Sequence, residues 1–130
     1  MTRRVVSGAP WEPVVGYSRA VAAGDHVWVT GCTSIVDGEV VHEGEPYEQT
    51  AQALRNVAWA LEQVGASLDD VVRTRIFVTD ISRWEEYGRA HGAAFGRTMP
   101  ATSMVEVRAL IDPRMLVEVE AVAYRPGVGG

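Results

Sequence analysis

Few side chains in this sequence combine reactivity with a setting that could use it, and the first to consider is a carboxylate. Glu118 stands within Leu116-Val117-Glu118-Val119-Glu120-Ala121-Val122-Ala123, where apolar and polar residues alternate at period two, the mark of a half-buried strand. A carboxylate held partly out of water has its pKa raised and can act as a general acid or base. Glu120 shares its strand face, so the plainer reading is a solvated acidic edge. Cys32 is the single cysteine. As a thiolate it would be a nucleophile, yet a lone cysteine at a strand end is more often a small buried hydrophobe. His26 and His42 fall in or near turns and His91 on a helical stripe, too scattered to form a metal site. No cofactor or metal is expected.

The composition narrows the field further. The chain has 130 residues, a formal net charge of -5 and 47% apolar residues, with a pI near 5.1 and a mean hydropathy of -0.01. This suits one domain over residues 1–130 with a single core, its last Gly-rich residues expected to be disordered. Sequence-independent nucleic-acid binding draws on cationic contacts to phosphates, so an acidic chain makes a poor partner for RNA or DNA. The apolar runs fall short of the roughly 20 residues that cross a bilayer, and the N-terminus lacks the apolar core of a signal peptide. A lone cysteine excludes an intrachain disulfide. The expected setting is cytoplasmic, without a membrane partner.

The elements that must position these groups follow from period and punctuation. Arg3 to Val6 can hold a short strand before Gly8, Pro10 and Pro13 impose an irregular segment. Tyr17 to Val21 and Val27 to Thr30 read as a hairpin turning at Gly24-Asp25, and Ile35-Val36 with Val40-Val41 flank a second turn at Asp37-Gly38. From Pro46 the period becomes helical, with Tyr47, Ala51, Leu54, Ala58, Leu61 and Val64 on one stripe and Gln49, Gln52 and Arg55 off it. Pro46 in the first turn and Gly65 beyond the end are fitting punctuation. Val71 to Thr79 reads as a strand with Val72, Ile76 and Val78 on one face. Ser82-Arg83-Trp84-Glu85 has the form of a capping box opening a second helix, striped by Trp84, Tyr87, His91 and Phe95. Pro100 to Val107 and Leu116 to Ala123 supply two more strands.

The order is strands, helix, strand, helix, two strands, which is an α+β domain whose two helices can cover only one face of a sheet. A second face carrying Val71, Phe77, Met104 and Val122 would need a partner, because monomers rarely expose large apolar patches. An oligomer is therefore expected on these grounds alone.

The sequence also resembles the RidA (YjgF-like) enamine/imine deaminases. The match is carried by Pro100-Ala101-Thr102-Ser103, by Glu118-Val119-Glu120-Ala121-Val122-Ala123, and by Gly16-Tyr17 ahead of a strand ending in Thr30-Gly31. The resemblance implies a chorismate-mutase-like α+β fold, a mixed sheet with two helices on one face, and a homotrimer with a barrel-like centre and ligand clefts between subunits. It implies that Tyr17 lines the cleft and that Glu118 positions water or protonates an enamine, with Gly31 at the strand end beside them. Three positions depart from the family pattern. Thr102 stands where an arginine is taken to hold the substrate carboxylate, Cys32 where glutamine is usual, and Gly88 where the second helix carries asparagine. A guanidinium fork gives a carboxylate two parallel charge-assisted bonds, and a threonine hydroxyl offers one neutral donor.

Two readings follow. The first is an enzyme for a small reactive metabolite, by enamine or imine deamination or a related hydrolysis, with Glu118 handling protons, backbone groups near Cys32 and Thr102 orienting water, and classical 2-aminoacrylate turnover weak or absent. The second is a non-catalytic protein that binds or sequesters a small molecule in the same clefts. Without the arginine and with Glu118 retained, neutral or cationic ligands should bind better than acids, unless Arg73, Arg75 or Arg108 restores the cation.

Overall fold

A computed structural model describes all residues from Met1 to Gly130. Eight strands and three helices occur in the order β1 (Thr2–Val5), α1 (Trp11–Val15), β2 (Ala20–Ala23), β3 (His26–Cys32), β4 (Ile35–Val36), β5 (Glu39–Val40), α2 (Pro46–Glu62), β6 (Val71–Val78), α3 (Trp84–Phe95), β7 (Ala101–Glu106) and β8 (Val117–Tyr124). Six strands form one mixed sheet in the order β1-β2-β3-β8-β6-β7, and β4 and β5 make a separate hairpin. Only β6 and β7 run parallel. A parallel pair needs a crossover, and α3 supplies it. The α+β architecture with two long helices on one sheet face is as the sequence implies.

The alternation in β8 is realised fully. Val117, Val119, Ala121 and Ala123 are buried beneath the helices, while Glu118, Glu120 and Val122 point to the other face. β8 lies at the centre of the sheet between β3 and β6, so it joins the hairpin half to the crossover half in one core that includes Val27, Val29, Leu54, Val57, Leu61, Ile76 and Phe95.

Two bulges reverse what simple alternation predicts. In β6 the pairing to β8 slips between Val71 and Arg73. One residue is thereby left over, so Val71 turns into the core at 1% exposure and Val72 outward at 47%, the opposite of their expected faces. In β3 the register slips between Val29 and Cys32, which also carries Cys32 to the core side. Met104 is a third correction. It pairs in register with Ile76 and packs against the core instead of facing the open side.

The helices are where the sequence places them, with rotated faces. In α2 the buried residues include Gln49, Thr50, Ala53, Leu54, Val57, Ala60 and Leu61. Gln49 belongs on the inner face because its amide is fully used, donating to Arg114 O at 2.9 Å and to Val41 O at 3.3 Å and accepting from Leu116 N at 2.8 Å. A polar side chain so satisfied loses little on burial. At α3 the expected Ser82 capping box does not form. A short 3-10 turn, Ile81–Arg83, precedes the helix, and its cap is Asp80, which accepts from Ser82 N. Trp84 is 56% exposed, and Tyr87, Ala90 and Phe95 form the buried stripe.

Both termini are more ordered than expected. Trp11–Val15 forms a short helix, with Pro13 in the first turn where its missing N–H costs nothing. The C-terminal Gly-rich residues are held in place: Val128 is buried, Gly129 N donates to Gly24 O at 2.8 Å, and Arg3 Nε donates to Val128 O at 3.1 Å. Gly129 sits where an added Cβ would lie 2.5 Å from Gly24 N, so the β2-β3 turn admits only glycine there.

Candidate functional site

The β3 bulge builds the first cluster. It turns the Cys32 thiol into the core and sets the bare backbone of Gly31 against the Glu118 side chain. A Cβ at Gly31 would fall 2.5 Å from Glu118 Cδ and 2.7 Å from its Cγ, so the carboxylate occupies the space a side chain would fill. Beside them Arg19 reaches across from the segment leading into β2. Its Nη1 donates to Gly31 O at 2.8 Å and lies 3.7 Å from Cys32 Sγ, and its Nη2 donates to the Tyr17 hydroxyl at 3.3 Å. The guanidinium carbon stands 5.6 Å from the Tyr17 ring centre. Behind Arg19, Glu12 of α1 lies 3.6 Å away, with the two side chains only 12% and 2% exposed. Glu12 also accepts from the Ser7 backbone N–H and hydroxyl.

The charges in this cluster are unequal in character. Burial pushes the Glu118 carboxyl above its ordinary pKa, the neighbouring Glu120 pushes the same way, and Arg19 partly opposes them. Burial works to raise Glu12 too, but Ser7 and Arg19 hold it below the usual carboxylate range. Glu12 therefore stays charged and partners Arg19, while Glu118 is the carboxyl able to hold a proton. Cys32 is pushed by burial to about 11, against the pull of Arg19. A thiol so placed is no nucleophile at neutral pH, and Cys32 can offer a ligand only its backbone.

Thr102 and Gly88 lie elsewhere. Thr102 pairs in register with Thr74, whose side chain is fully buried on the helix-covered face. Its hydroxyl is 2.8 Å from Thr74 Oγ1, which is 2.8 Å from His91 Nε2 on α3. The Thr102 hydroxyl also lies 3.0 Å from Pro100 O, so Pro100 O, Thr102, Thr74 and His91 form one hydrogen-bonded chain whose direction depends on the His91 tautomer. His91 rests on Phe95 with ring centres 4.6 Å apart, and burial lowers its pKa. Gly88 is one helical turn before His91 and so shares its side of α3. Thr102, His91 and Gly88 thus sit on the helix side of the sheet, and Glu118 with Glu120 on the open side. The two groups do not meet.

The open side carries a cross-strand row of Val21, Trp28 and Val122 that ends at Arg73. Trp28 is 47% exposed and Tyr124 46%, and His26 bridges them with ring centres 5.6 and 5.3 Å away. Arg75 pairs with Glu120 at 2.8 Å, and Arg73 donates to Ser103 Oγ at 2.9 Å. A groove of about 330 Å³ runs over Val21, Trp28, Thr30, Arg73, Arg75 and Glu120. Another of about 520 Å³ opens beside Tyr17, between Val6, Pro10 and Pro13.

Of the residues that the resemblance places in the cleft, Tyr17 and Gly31 are bridged by Arg19 and Gly31 abuts Glu118, while Arg19, Glu12 and the Thr74–His91 chain stand outside that set. In sequence Arg19 is only one residue of the Tyr17 to Val21 strand, and the bulge that presents Gly31 O shows what it holds.

A six-stranded mixed sheet with two helices on one face, and with a protonable carboxyl set against a glycine backbone on the other, defines a RidA-type α+β domain. The family model described as Endoribonuclease L-PSP matches residues 7–125, and the chain belongs to this family, which includes the YjgF and RutC proteins. A curated relative from Streptomyces coelicolor, itself uncharacterised, is 42% identical over 97% of this chain and 94% of its own length. A RutC family protein of Pyrococcus abyssi is 35% identical over 88% of this chain and 90% of its own. Among solved structures, the Mycobacterium tuberculosis member of the YjgF/YER057c/UK114 family superposes with a TM-score of 0.87 at 53% identity, covering 95% of this chain and 99% of that one. The Escherichia coli YjgF gene product does so at 0.83 with 29% identity, covering 95% and 98%.

Proposed function

We propose that the protein acts on a small reactive metabolite, by enamine or imine deamination or a related hydrolysis, in clefts formed where the subunits of a cytoplasmic homotrimer meet. The observation that carries this reading is the Glu118 carboxyl, raised in pKa and lodged against the Gly31 backbone. A protonated Glu118 can donate to the terminal carbon of an enamine, leaving an iminium. The carboxylate so formed then accepts a proton from the water that adds to the iminium carbon. The resulting carbinolamine releases ammonia and leaves a carbonyl.

Two features support clefts between subunits. Thr102 and Gly88 are on the opposite side of the sheet from Glu118, so one cleft can include all of them only if two copies contribute. The row of Val21, Trp28 and Val122 is also the kind of exposed apolar surface that a partner subunit covers.

Ligand preference follows from charge. Arg19 restores a cation near Glu118, but its Nη1 bonds Gly31 O, its Nη2 bonds the Tyr17 hydroxyl, and its charge is met by Glu12 in a side chain only 12% exposed, so its terminal fork is not turned toward a ligand carboxylate. Arg75 is paired with Glu120, whereas Arg73 donates only to the neutral Ser103 hydroxyl and keeps its charge. Neutral or cationic ligands such as amines, amides or iminium species are therefore favoured over acids. A second reading, non-catalytic binding or sequestration of a small molecule, is favoured by Thr102, a neutral hydroxyl already within bonding distance of Pro100 O and Thr74 Oγ1.

The test is ammonia release from imines generated in place by an amino-acid oxidase, with wild type and Glu118→Gln compared. Acceleration by wild type and its loss in the variant supports the enzyme. No acceleration by wild type, with thermal stabilisation by amines and amides but not by matched acids, supports sequestration. Stabilisation by the acids above all would refute the charge argument.

A further inference from the structure

Arg19 is the most deeply embedded cation near Glu118, and neither the enamine reading nor the sequence assigns it a role. Its backbone is locked into the sheet, with its N–H donating to Val5 O at 2.7 Å and its carbonyl accepting from Thr30 N at 2.9 Å. Its side chain runs to the one place in β3 where the ladder is broken. There it grips Gly31 O at 2.8 Å and the Tyr17 hydroxyl at 3.3 Å. A bulge frees backbone groups from the ladder, and a buried carbonyl left without a donor is costly. The guanidinium supplies that donor and spans two candidate site groups with a single planar fork.

We propose that Arg19 is the positioning residue of the Glu118 site. It holds the Gly31 bulge in the shape that leaves room for the Glu118 carboxyl and orients the Tyr17 hydroxyl. Glu12 makes this possible, since its charge keeps a buried guanidinium tolerable without drawing its donors away from Gly31. The charged and titratable groups facing this centre are Glu12 from α1, Tyr17 from the segment before β2, Cys32 from β3, Glu118 and Glu120 from β8, and Arg75 from β6 through its bond to Glu120. Of these, Arg19 is the one cation whose attraction opposes the burial of Glu118.

The inference rests on the reading that Glu118 belongs to a ligand site, and its test is read from Glu118 itself, so the two can fail separately. Carboxyl carbons of ¹³C-labelled protein are titrated by NMR, with the Glu118 signal assigned by its absence in Glu118→Gln. In Arg19→Gln the Glu118 midpoint moves up, because the attraction is gone and burial and Glu120 act unopposed. Arg19→Lys keeps the charge and loses the fork, so the midpoint stays near wild type while the Tyr17 ring resonances shift. Glu12→Gln removes the carboxylate that anchors the guanidinium, and the Tyr17 ring and Gly31 amide resonances shift; this variant keeps the idea testable if Arg19→Gln does not fold. An unchanged Glu118 midpoint together with unshifted Tyr17 ring and Gly31 amide resonances in folded Arg19→Gln, or unshifted Tyr17 and Gly31 resonances in Glu12→Gln, overturns the proposal. Failure of the imine assay with these shifts present would refute the enamine reading and leave the role of Arg19 standing.

Discussion

Gly31→Ala probes the contact on which the candidate site is built. A methyl group at this position would meet Glu118 Cδ at 2.5 Å, Cγ at 2.7 Å and Oε2 at 2.8 Å, all inside the separation that carbon and oxygen atoms tolerate. Something must move, and the Glu118 side chain is more mobile than the paired backbone of β3. It is only partly buried, so it can swing toward solvent, which places the expected loss at the low end of overpacking, about 1 to 2 kcal/mol. Freed from its buried position, Glu118 should also titrate lower than in wild type. The informative measurement is a double-mutant cycle by urea denaturation at one protein concentration, with wild type, Gly31→Ala, Glu118→Ala and the double variant. Every atom in the clash belongs to the part of Glu118 that alanine removes. The second substitution should therefore recover most of what the first costs, giving a coupling of about 1 kcal/mol. Additivity within about 0.3 to 0.5 kcal/mol, the level found for independent sites, would refute the contact as the cause.

Three further outcomes are expected. The Glu118 pKa is raised on folding, so the stability this group contributes is full below its unfolded value and is lost as pH rises through the folded value. Glu118→Gln should therefore gain stability relative to wild type on going from pH 4 to pH 8, and a flat difference across that range would contradict the assignment. Light scattering should give a particle of about three times the 14.1 kDa chain mass; Trp28→Glu on the open face should dissociate it, whereas a stable wild-type monomer at micromolar concentration would remove the proposed clefts. With 2-aminoacrylate-type substrates turnover should be weak, since losing ~3 kcal/mol of transition-state binding is about two orders of magnitude in rate. Thr102→Arg should raise any residual rate, and family-like turnover by wild type would contradict this.

Some of this protein was legible in the chain because it depends on local chemistry. Strict alternation made β8 a half-buried strand with Glu118 outward, and the period change at Pro46 marked α2. Those signals act over a few residues and survive folding intact. The helix faces were less legible, because Gln49 is buried through bonds to Val41, Arg114 and Leu116, partners as far as 67 residues away. The sharpest limits came at the bulges. One added residue inverts every side chain beyond it, and no local pattern announces where the extra residue sits. That inversion put Val71 inside and Val72 outside, turned Cys32 into the core, and set Gly31 against Glu118. The residue types of the candidate site were thus written in the sequence. Their division between two faces of the sheet, and the choice of Arg19 as the cation beside Glu118, were decided by strand register, which exists only once β3, β6 and β8 have paired.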